Sequence, residues 1–422
     1  MHQEGVTTTA HMPITDRPIT RAHITPLQSL IPPFAMHFRG HDARPLKTLY
    51  LQPCDTPQNL DVAKQLQSIG LQEGFQVFIQ LGKRLFQNPS GMSSRMISGS
   101  NPNISRWGQD NKLILKGPDG QNVVLIPPRL DFDPGAELGI QQGRLDEVKE
   151  QRYGRYLAKA ANLKHRTIAS YLEGGNVFLG KLPDNSSFAL IGEDSIRLNA
   201  RRIAKHTDTY LTNETHFNLL AKKAIAEDLH ITEDKLFSIP QPEFHIDMAI
   251  RPLGFPLVLV HDPTQAVSLL DEALAISPVR DERRRLKKLR KLTLNTEKQR
   301  LESGYQPMPL VAEALKRHGF DIITLPSLFG SDKGEVANFT NALVHTKMLG
   351  NGKKSLVYIT NDTGFPTLNS LFAAKLKQLA PFVSRVEFIS GGTMSQRAGD
   401  TYLKECLQLS GGVHCLTSEE PG

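Results

Sequence analysis

Short apolar runs alternate with turn-forming residues along this chain, and one arrangement occurs four times. A few polar residues lead into an apolar strand, a turn rich in Gly, Pro, Asn or Asp, and a second apolar strand. This pattern is typical of a β-hairpin. The predicted hairpins pair Leu113–Lys116 with Val123–Ile126, Val177–Leu179 with Phe188–Ile191, Met248–Ile250 with Leu257–Val260, and Leu343–His345 with Leu356–Ile359.

Amphipathic helices are predicted between the hairpins, because apolar residues recur there three or four positions apart. Several of these segments lead into a further strand, such as Val386–Ile389. The repeating unit is therefore strand, strand, helix, strand. The predicted helices are Leu145–Leu163, Glu214–Asp228, Thr264–Ile276, Leu310–His318 and Leu368–Leu379.

Each of the four polar elements before a hairpin, and a fifth polar element that closes the series, carries a residue type that is common in active sites. The candidate reactive positions are 110, 173, 247, 341 and 415, which are 63, 74, 94 and 74 residues apart. Such spacing is typical of a repeat or propeller architecture. In a ring, the five elements would meet at one central pocket; the simpler alternative is an open α/β sheet with incidental hairpins. The elements are Trp107-Gly108-Gln109-Asp110, Glu173-Gly174-Gly175-Asn176, Phe244-His245-Ile246-Asp247, Asn338-Phe339-Thr340-Asn341 and Gly411-Gly412-Val413-His414-Cys415.

The length of 422 residues allows one large core or two domains. Residues 1–45, rich in Thr, Pro and His, are predicted to form an irregular arm, and residues 46–422 a single α/β domain. No apolar run reaches the roughly 18 residues that span a bilayer, and the N-terminus has no signal-peptide pattern. Three cysteines, Cys54, Cys406 and Cys415, are too few for a disulfide framework. These features favour a cytoplasmic location, with export by a non-classical route left open.

The net charge of +7 is concentrated at residues 280–291, within a predicted basic helical insertion at about 280–305. Leu286 and Leu289 give this helix an apolar edge. Its basic face could bind an acidic partner such as nucleic acid, anionic lipid or an acidic protein. The alternative, a solvated face whose leucine edge packs on the body, is favoured because no aromatic residue is interleaved to stack on bases.

The reactive residue types together indicate chemistry on a positively charged group. Cys415 would attack as a thiolate, and His245 can give and take a proton near neutral pH. Asp247, two residues on, would share a strand face with His245. Asp110 and Glu173 add carboxylates, which bind a planar guanidinium well through paired hydrogen bonds. This combination predicts attack on a guanidinium carbon.

A metal site made of His245, Asp247 and Cys415 is an alternative use of the same residues. The local ligand spacing typical of zinc sites is missing from the sequence. We therefore predict neither a metal nor a cofactor.

Three motifs, with their spacing, resemble the guanidino-group-modifying enzymes of the pentein superfamily. In sequence order they are Leu-Glu-Gly-Gly-Asn, Phe-His-Ile-Asp-Met and Gly-Gly-Val-His-Cys-Leu-Thr. The sequence after Cys415 is most similar to agmatine deiminases, whereas the Arg106–Asp110 element is more similar to peptidylarginine deiminases. The resemblance, over about residues 45–422, implies a five-bladed, pseudo-symmetric α/β propeller built from ββαβ repeats.

The resemblance also implies roles for the candidate residues. Cys415 would form a covalent adduct, and His245 would protonate the departing nitrogen and then activate water. Asp110 and Asp247 would clamp the guanidinium, and Glu173 would support His245 or the substrate.

Three further residues are candidates for substrate binding. Trp107 would lie against the apolar stem of the substrate, or be a core or rim aromatic residue. Asn341 would make a polar contact, or stabilise a turn. Asn176 stands where several relatives have Asp, which would alter substrate shape, and Asn111 after Asp110 matches neither branch.

The leading hypothesis is hydrolysis of a guanidino group to a ureido product and ammonia. The substrate class spans agmatine, free arginine and an arginine side chain of a protein. The alternatives are an amidinotransferase of the same fold, a non-catalytic binding protein, and a nucleic-acid or membrane-surface module acting through the basic helix. The sequence leaves the oligomeric state open.

Overall fold

The computed structural model describes residues 45–52, 58–89, 92, 108–116, 120–128, 145–207, 213–331, 335–348, 354–390, 413–414 and 417–421. All of them belong to one compact unit, Phe34–Gly422. Apart from Pro45, the predicted arm lies outside the described residues, so the domain boundary stays a prediction.

The strands and helices follow the repeat predicted from the sequence. The strands are β1 (Leu46–Leu51), β2 (Gln76–Leu81), β3 (Arg84–Phe86), β4 (Leu113–Lys116), β5 (Asn122–Ile126), β6 (Lys164–Thr167), β7 (Val177–Lys181), β8 (Ser187–Gly192), β9 (Leu236–Ile239), β10 (Ile250–Gly254), β11 (Leu257–His261), β12 (Asp321–Leu325), β13 (Leu328–Ser331), β14 (Glu335–Asn338), β15 (Leu343–Met348), β16 (Lys354–Asn361), β17 (Val383–Ile389) and β18 (Thr417–Pro421). The helices are α1 (Gln58–Glu73), α2 (Leu145–Ala160), α3 (Glu193–His206), α4 (Glu214–Leu229), α5 (Pro263–Ile276), α6 (Arg280–Glu302), α7 (Met308–Arg317) and α8 (Pro366–Leu379).

Five sheets share one strand arrangement. Each contains one strand that is antiparallel to one neighbour and parallel to the other, and at least one helix connects the two parallel strands. This strand is the middle one in the three-stranded sheets and β1 in the four-stranded sheet. We number these sheets as blades 1 to 5, with the orders β4-β5-β6, β7-β8-β9, β10-β11-β12, β15-β16-β17 and β18-β1-β2-β3. All four predicted hairpins are present, and each forms the antiparallel pair of one blade.

The hydrophobic cores connect the blades in the order 2, 3, 4, 5 and 1, and the hydrogen bond from Gln109 Nε2 to the Gly174 carbonyl connects the motifs before blades 1 and 2. Successive side chains of a strand point to opposite faces, so a middle strand such as β11 contributes to the cores on both of its sides. Each shared core is represented by one pair: Leu190 with Val258 for blades 2 and 3, Leu259 with Tyr358 for blades 3 and 4, Ile359 with Leu51 for blades 4 and 5, and Tyr50 with Val124 for blades 5 and 1. The protein is a five-bladed α/β propeller.

The fifth blade combines strands from the two distant ends of the described chain. β18 runs antiparallel to β1, with Thr417 opposite Leu51, and β1 runs parallel to β2. Glu420 of β18 is buried and accepts hydrogen bonds from the Tyr50 hydroxyl (2.6 Å) and from Asn122 Nδ2 of blade 1 (2.7 Å). The carboxylate of Glu420 therefore joins blade 5 to blade 1.

The predicted basic helix is α6, which packs through its leucine edge. Leu286 and Leu289 are buried in the core shared by blades 3 and 4. Glu282 near its first turn accepts hydrogen bonds from Ser277 and Thr367. The packing predicted for the leucine edge is thus confirmed, and the binding of a partner by the basic face stays a prediction.

Several elements differ from the sequence-based prediction. α1, α3 and the β13–β14 hairpin were not predicted, although apolar residues recur at helical spacing in both helices. β10 begins at Ile250 rather than Met248, since residues 246–248 form a 3-10 turn. None of the helices in the described part of the chain has the length and apolar character needed to cross a membrane.

Candidate active site

Glu173 and His245 occupy equivalent positions in neighbouring blades. Each lies directly before a single 3-10 turn, Gly174–Asn176 or Ile246–Met248, and the first strand of the blade follows that turn. The two turns are in contact. The prediction that His245 and Asp247 share the face of an extended strand is wrong, because the turn intervenes.

A hydrogen-bonded pair of an acid and an imidazole connects these two motifs. His245 Nε2 lies 2.8 Å from Glu173 Oε2, and the Tyr171 hydroxyl donates to Glu173 Oε1 (2.5 Å). Asp110 lies beside the pair: one ligand atom from each of Asp110, Glu173 and His245 lies within 4.8 Å of the others. Asp110 and His245 are buried, whereas Glu173 is partly exposed. Three of the predicted motifs therefore meet at one place.

The surrounding carboxylates keep the His245 imidazole protonated at neutral pH. Burial alone lowers the pKa of an imidazole, because it disfavours the charged form. The charge of Asp110, the hydrogen bond and charge of Glu173, and the charge of Asp247 outweigh burial and raise the pKa of His245 to about 10. The ring is thus an imidazolium that can deliver a proton and then, once neutral, accept one.

Gly175 allows the second and third motifs to approach each other closely. A Cβ atom added to Gly175 would lie 2.8 Å from Cγ of His245 and 3.2 Å from Oδ1 of Asp247. Such distances to a ring and a carboxylate are shorter than van der Waals contact. The second glycine of the Glu-Gly-Gly-Asn motif is therefore required by the packing of His245.

Asp247 is fully buried and held by residues from the fourth and fifth motifs. Its Oδ2 accepts hydrogen bonds from Asn341 Nδ2 (2.8 Å) and from His414 Nδ1 (2.8 Å). Asn341 Oδ1 in turn accepts from the backbone N–H of His414 (2.9 Å). Asn341 thus orients both Asp247 and the segment that precedes Cys415, whereas its predicted contact with substrate stays a prediction.

A second asparagine also holds the segment before Cys415. Asn361 Oδ1 accepts from the backbone N–H of Val413 (2.8 Å), and Asn361 Nδ2 donates to the carbonyl of Asn341 (3.1 Å). Cys415 itself and Trp107 lie outside the described residues. Their predicted roles stay predictions.

Asn176 connects the second and third motifs. Its Nδ2 donates to Ser195 Oγ (2.8 Å), and its Oδ1 accepts from Gln241 Nε2 (2.9 Å) and from the Ile246 backbone N–H (3.2 Å). These bonds fix the turn that follows His245. Contact of Asn176 with substrate remains a prediction.

Asp110, Glu173 and His245 are the group in the described part of the chain that is close enough to bind a metal ion. A histidine ligand must be neutral to coordinate a metal. The raised pKa of His245 opposes that state at neutral pH. A metal ion at these donors would therefore have to displace the proton of His245.

Four residues near this site were given no role by the sequence analysis. Gln109 and His414 lie inside the predicted polar elements, so their positions in the sequence could have indicated that they lie at the site. Gln109 Nε2 donates to the Gly174 carbonyl (3.2 Å) and lies 2.9 Å from His414 Nε2. Arg251 and Glu419 lie within strands and are ion-paired across 168 positions of the sequence. No local pattern indicates that pairing.

Comparison with solved structures identifies the fold to which this geometry belongs. No family model matches the sequence, and no curated protein matches it either. The structure of agmatine deiminase from C. jejuni matches with a TM-score of 0.51 and 12% identity, covering 91% of this chain and 96% of that chain. A cysteine-to-serine variant of that enzyme with substrate bound matches with a TM-score of 0.50 and 12% identity, covering 92% of this chain and 97% of that chain.

This chain has the pentein fold. The predicted five-bladed α/β propeller is thereby confirmed. Within the pentein fold, the first strands of the blades follow the polar motifs, which is why residues so far apart in the sequence meet around Asp110, Glu173 and His245. At 12% identity the likeness concerns the fold, and the chemistry has to be argued from the residues of this chain.

Proposed function

We propose that this protein hydrolyses a guanidino group to a ureido group and ammonia, with Cys415 as the nucleophile. The observation that carries the proposal is the His245–Glu173 pair at 2.8 Å with Asp110 beside it, an arrangement that, with the charge of Asp247, raises the pKa of His245. A pocket of this charge attracts a cation. Carboxylates match the planar guanidinium through paired, charge-assisted hydrogen bonds.

The reaction proceeds in two balanced halves. The Cys415 thiolate bonds to the guanidinium carbon, a C–N bond breaks, and His245 gives its proton to the departing ammonia. The resulting amidino thioether is then attacked by water. One water proton returns to His245 and the other leaves with the released ammonia as ammonium, while the C–S bond breaks, the ureido C=O forms and the thiolate leaves. Asp110 and Asp247 clamp the guanidinium nitrogens, and Glu173 holds the imidazole in position.

The neighbouring structures support this reaction class as an expectation. Those proteins are agmatine deiminases, and one of them has substrate bound. We extend the proposal to guanidino substrates of the agmatine or arginine type, including a protein arginine. Because the nucleophile has to remain a free thiol, we place the protein in a reducing compartment, the cytoplasm.

An assay for ureido product tests the proposal directly. Agmatine, free arginine and an arginine-containing peptide are offered to the wild type, Cys415→Ala and Cys406→Ala. We expect product from at least one substrate with the wild type and with Cys406→Ala, and none with Cys415→Ala. Folded, reduced wild type that yields no product from any of the three would refute hydrolysis of these substrates.

The same assay separates the alternatives. An amidinotransferase would release product only when an acceptor amine is added, because the amine replaces water in the second half of the reaction. A non-catalytic binding protein would bind the guanidino compound and leave it unchanged.

A further inference from the structure

Four buried ionisable side chains form a connected series that begins at Asp247. His414 Nδ1 lies 2.8 Å from Asp247 Oδ2, His414 Nε2 lies 3.3 Å from Glu419 Oε1, and Arg251 Nη2 donates to that same oxygen (3.3 Å). The side chains are between 0 and 3% exposed. We call Asp247, His414, Glu419 and Arg251 the buried charge network.

The network lies in surroundings that make isolated charges unfavourable. The ring of Phe178 stacks on His414 at a centroid distance of 5.9 Å, and the guanidinium of Arg251 lies 5.3 Å from the same ring. Taking charged groups out of water costs free energy that their mutual attraction often only offsets. Apolar residues of similar size would serve stability as well. The network is therefore better explained by what it does to Asp247.

The two oxygens of Asp247 lie in different surroundings. Oδ2 receives hydrogen bonds from His414 and Asn341. Oδ1 lies on the side of Gly175, which is also the side of the His245 ring. Fixing Oδ2 therefore determines where Oδ1 is directed.

We propose that His414, Glu419 and Arg251 are positioning residues that hold the Asp247 carboxylate with one oxygen directed toward the His245 side of the pocket. Arg251 fixes Glu419, Glu419 fixes the His414 ring, and the ring fixes Asp247. The inference deepens the proposed function and rests on it, since there Asp247 is a clamp on the guanidinium. Burial and the charge of Arg251 lower the pKa of His414, but its hydrogen bonds to Asp247 and Glu419 outweigh them and raise it.

Glu419→Gln tests the network, and Glu420→Gln is its matched control. Both glutamates are buried in β18, but Glu420 bonds to Tyr50, Lys47 and Asn122 instead of the network. Two quantities are measured: kcat/KM for the guanidino substrate, and the titration of the His245 imidazole by NMR. The titration needs no substrate. The charged groups that face His245 are Asp110, Glu173 and Asp247, so displacement of Asp247 changes it.

We expect Glu419→Gln to lower kcat/KM at least tenfold, or by about 1.4 kcal/mol in barrier height, and to move the His245 titration to lower pH. Glu420→Gln should change neither quantity, although it lowers stability. A folded Glu419→Gln protein with the wild-type titration overturns the positioning roles, whatever its activity. Failure of the wild type to form product overturns the proposed function instead. The titration of His245 still shows whether the network residues position Asp247.

A second variant covers the case in which Glu419→Gln does not fold. His414→Gln interrupts the buried charge network between Asp247 and Glu419 and leaves the Arg251–Glu419 ion pair intact. It should produce the same shift of the His245 titration to lower pH. An unchanged titration in His414→Gln refutes the proposal equally.

Discussion

The carboxylate of Glu173 and the imidazole of His245 form a hydrogen bond of 2.8 Å across 72 residues of sequence and between two blades of the propeller. The bond depends on the close approach of two 3-10 turns, which Gly175 permits. Its geometry fixes the ring of His245 relative to Asp110.

Removing the charge of Glu173 should impair proton transfer more than removing its support. Glu173→Gln keeps the size of the side chain but lowers the pKa of His245, so we expect kcat to fall by about a hundredfold. Tyr171→Phe removes only the hydroxyl that donates to Glu173 Oε1. We expect this control to lose less than tenfold. Steady-state kinetics of both variants measures these changes in kcat. A greater loss of kcat in Tyr171→Phe than in Glu173→Gln would contradict the role assigned to the charge of Glu173.

The charge of His245 should make stability depend on pH. The pKa of this group is raised from 6.5 to about 10 on folding by Asp110, Glu173 and Asp247, which outweigh burial. Its stabilising contribution is therefore complete below about pH 6.5 and is lost as the pH rises through about 10. Urea unfolding from pH 6 to 10 should show the difference between wild type and His245→Gln shrinking with pH. A difference that stays constant over this range would be incompatible with the raised pKa.

Gly175→Ala should disable the site with little change elsewhere. The new methyl group would collide with the His245 ring and crowd Asp247, so we expect a loss of at least tenfold in kcat/KM. Gly304→Ala is the control, because Gly304 has a φ of +88° with open space around it. That variant should lose about 1 kcal/mol of stability through backbone strain and keep its activity. Equal activity of the two variants would show that the close approach of Gly175 to His245 and Asp247 is not needed for catalysis.

The outward face of α6 should bind polyanions. The helix contains ten Lys and Arg residues against four Asp and Glu, whereas the whole chain has a net charge of only +7. Arg284, Lys287 and Lys291 recur at helical spacing on one exposed side, opposite the buried leucines. Replacing these three by Gln should lower the salt concentration at which the protein elutes from heparin.

A control with the same change in net charge distinguishes a local surface from overall charge. Lys64, Lys223 and Lys377 are exposed and lie on other helices. Replacing them by Gln should leave the elution nearly unchanged, because binding depends on adjacent charges. Equal shifts for both triple variants would mean that α6 is simply a solvated helix.

The sequence was sufficient for the hairpins and for the motifs that meet at the site. The hairpin that begins at Val177 is predictable because its information is local: alternating apolar residues and a Pro-Asp-Asn turn. The same holds for Glu173 and His245, which stand directly before the predicted strands.

The features that could not be predicted are long-range contacts and local backbone conformations. Arg251 and Glu419 read as ordinary strand residues until the fold brings them together. Glu419 and Glu420 are adjacent acids, yet one pairs with Arg251 and the other with Tyr50 and Asn122, a separation that only the alternation within β18 produces. The 3-10 turn at Ile246–Met248 also overrides the extended geometry expected there.

The pairing of β18 with β1 means that the same propeller could be built from a sequence that starts in a different blade. Pro421 and Leu46 face each other in the antiparallel ladder, so their Cα atoms are about 5 Å apart. A short linker could join them as an ordinary hairpin turn, and new ends could be opened at the exposed turn around Asp184. Such a circular permutant would keep every blade contact and every site residue described above. The position of the chain ends is thus separate from the arrangement of the blades.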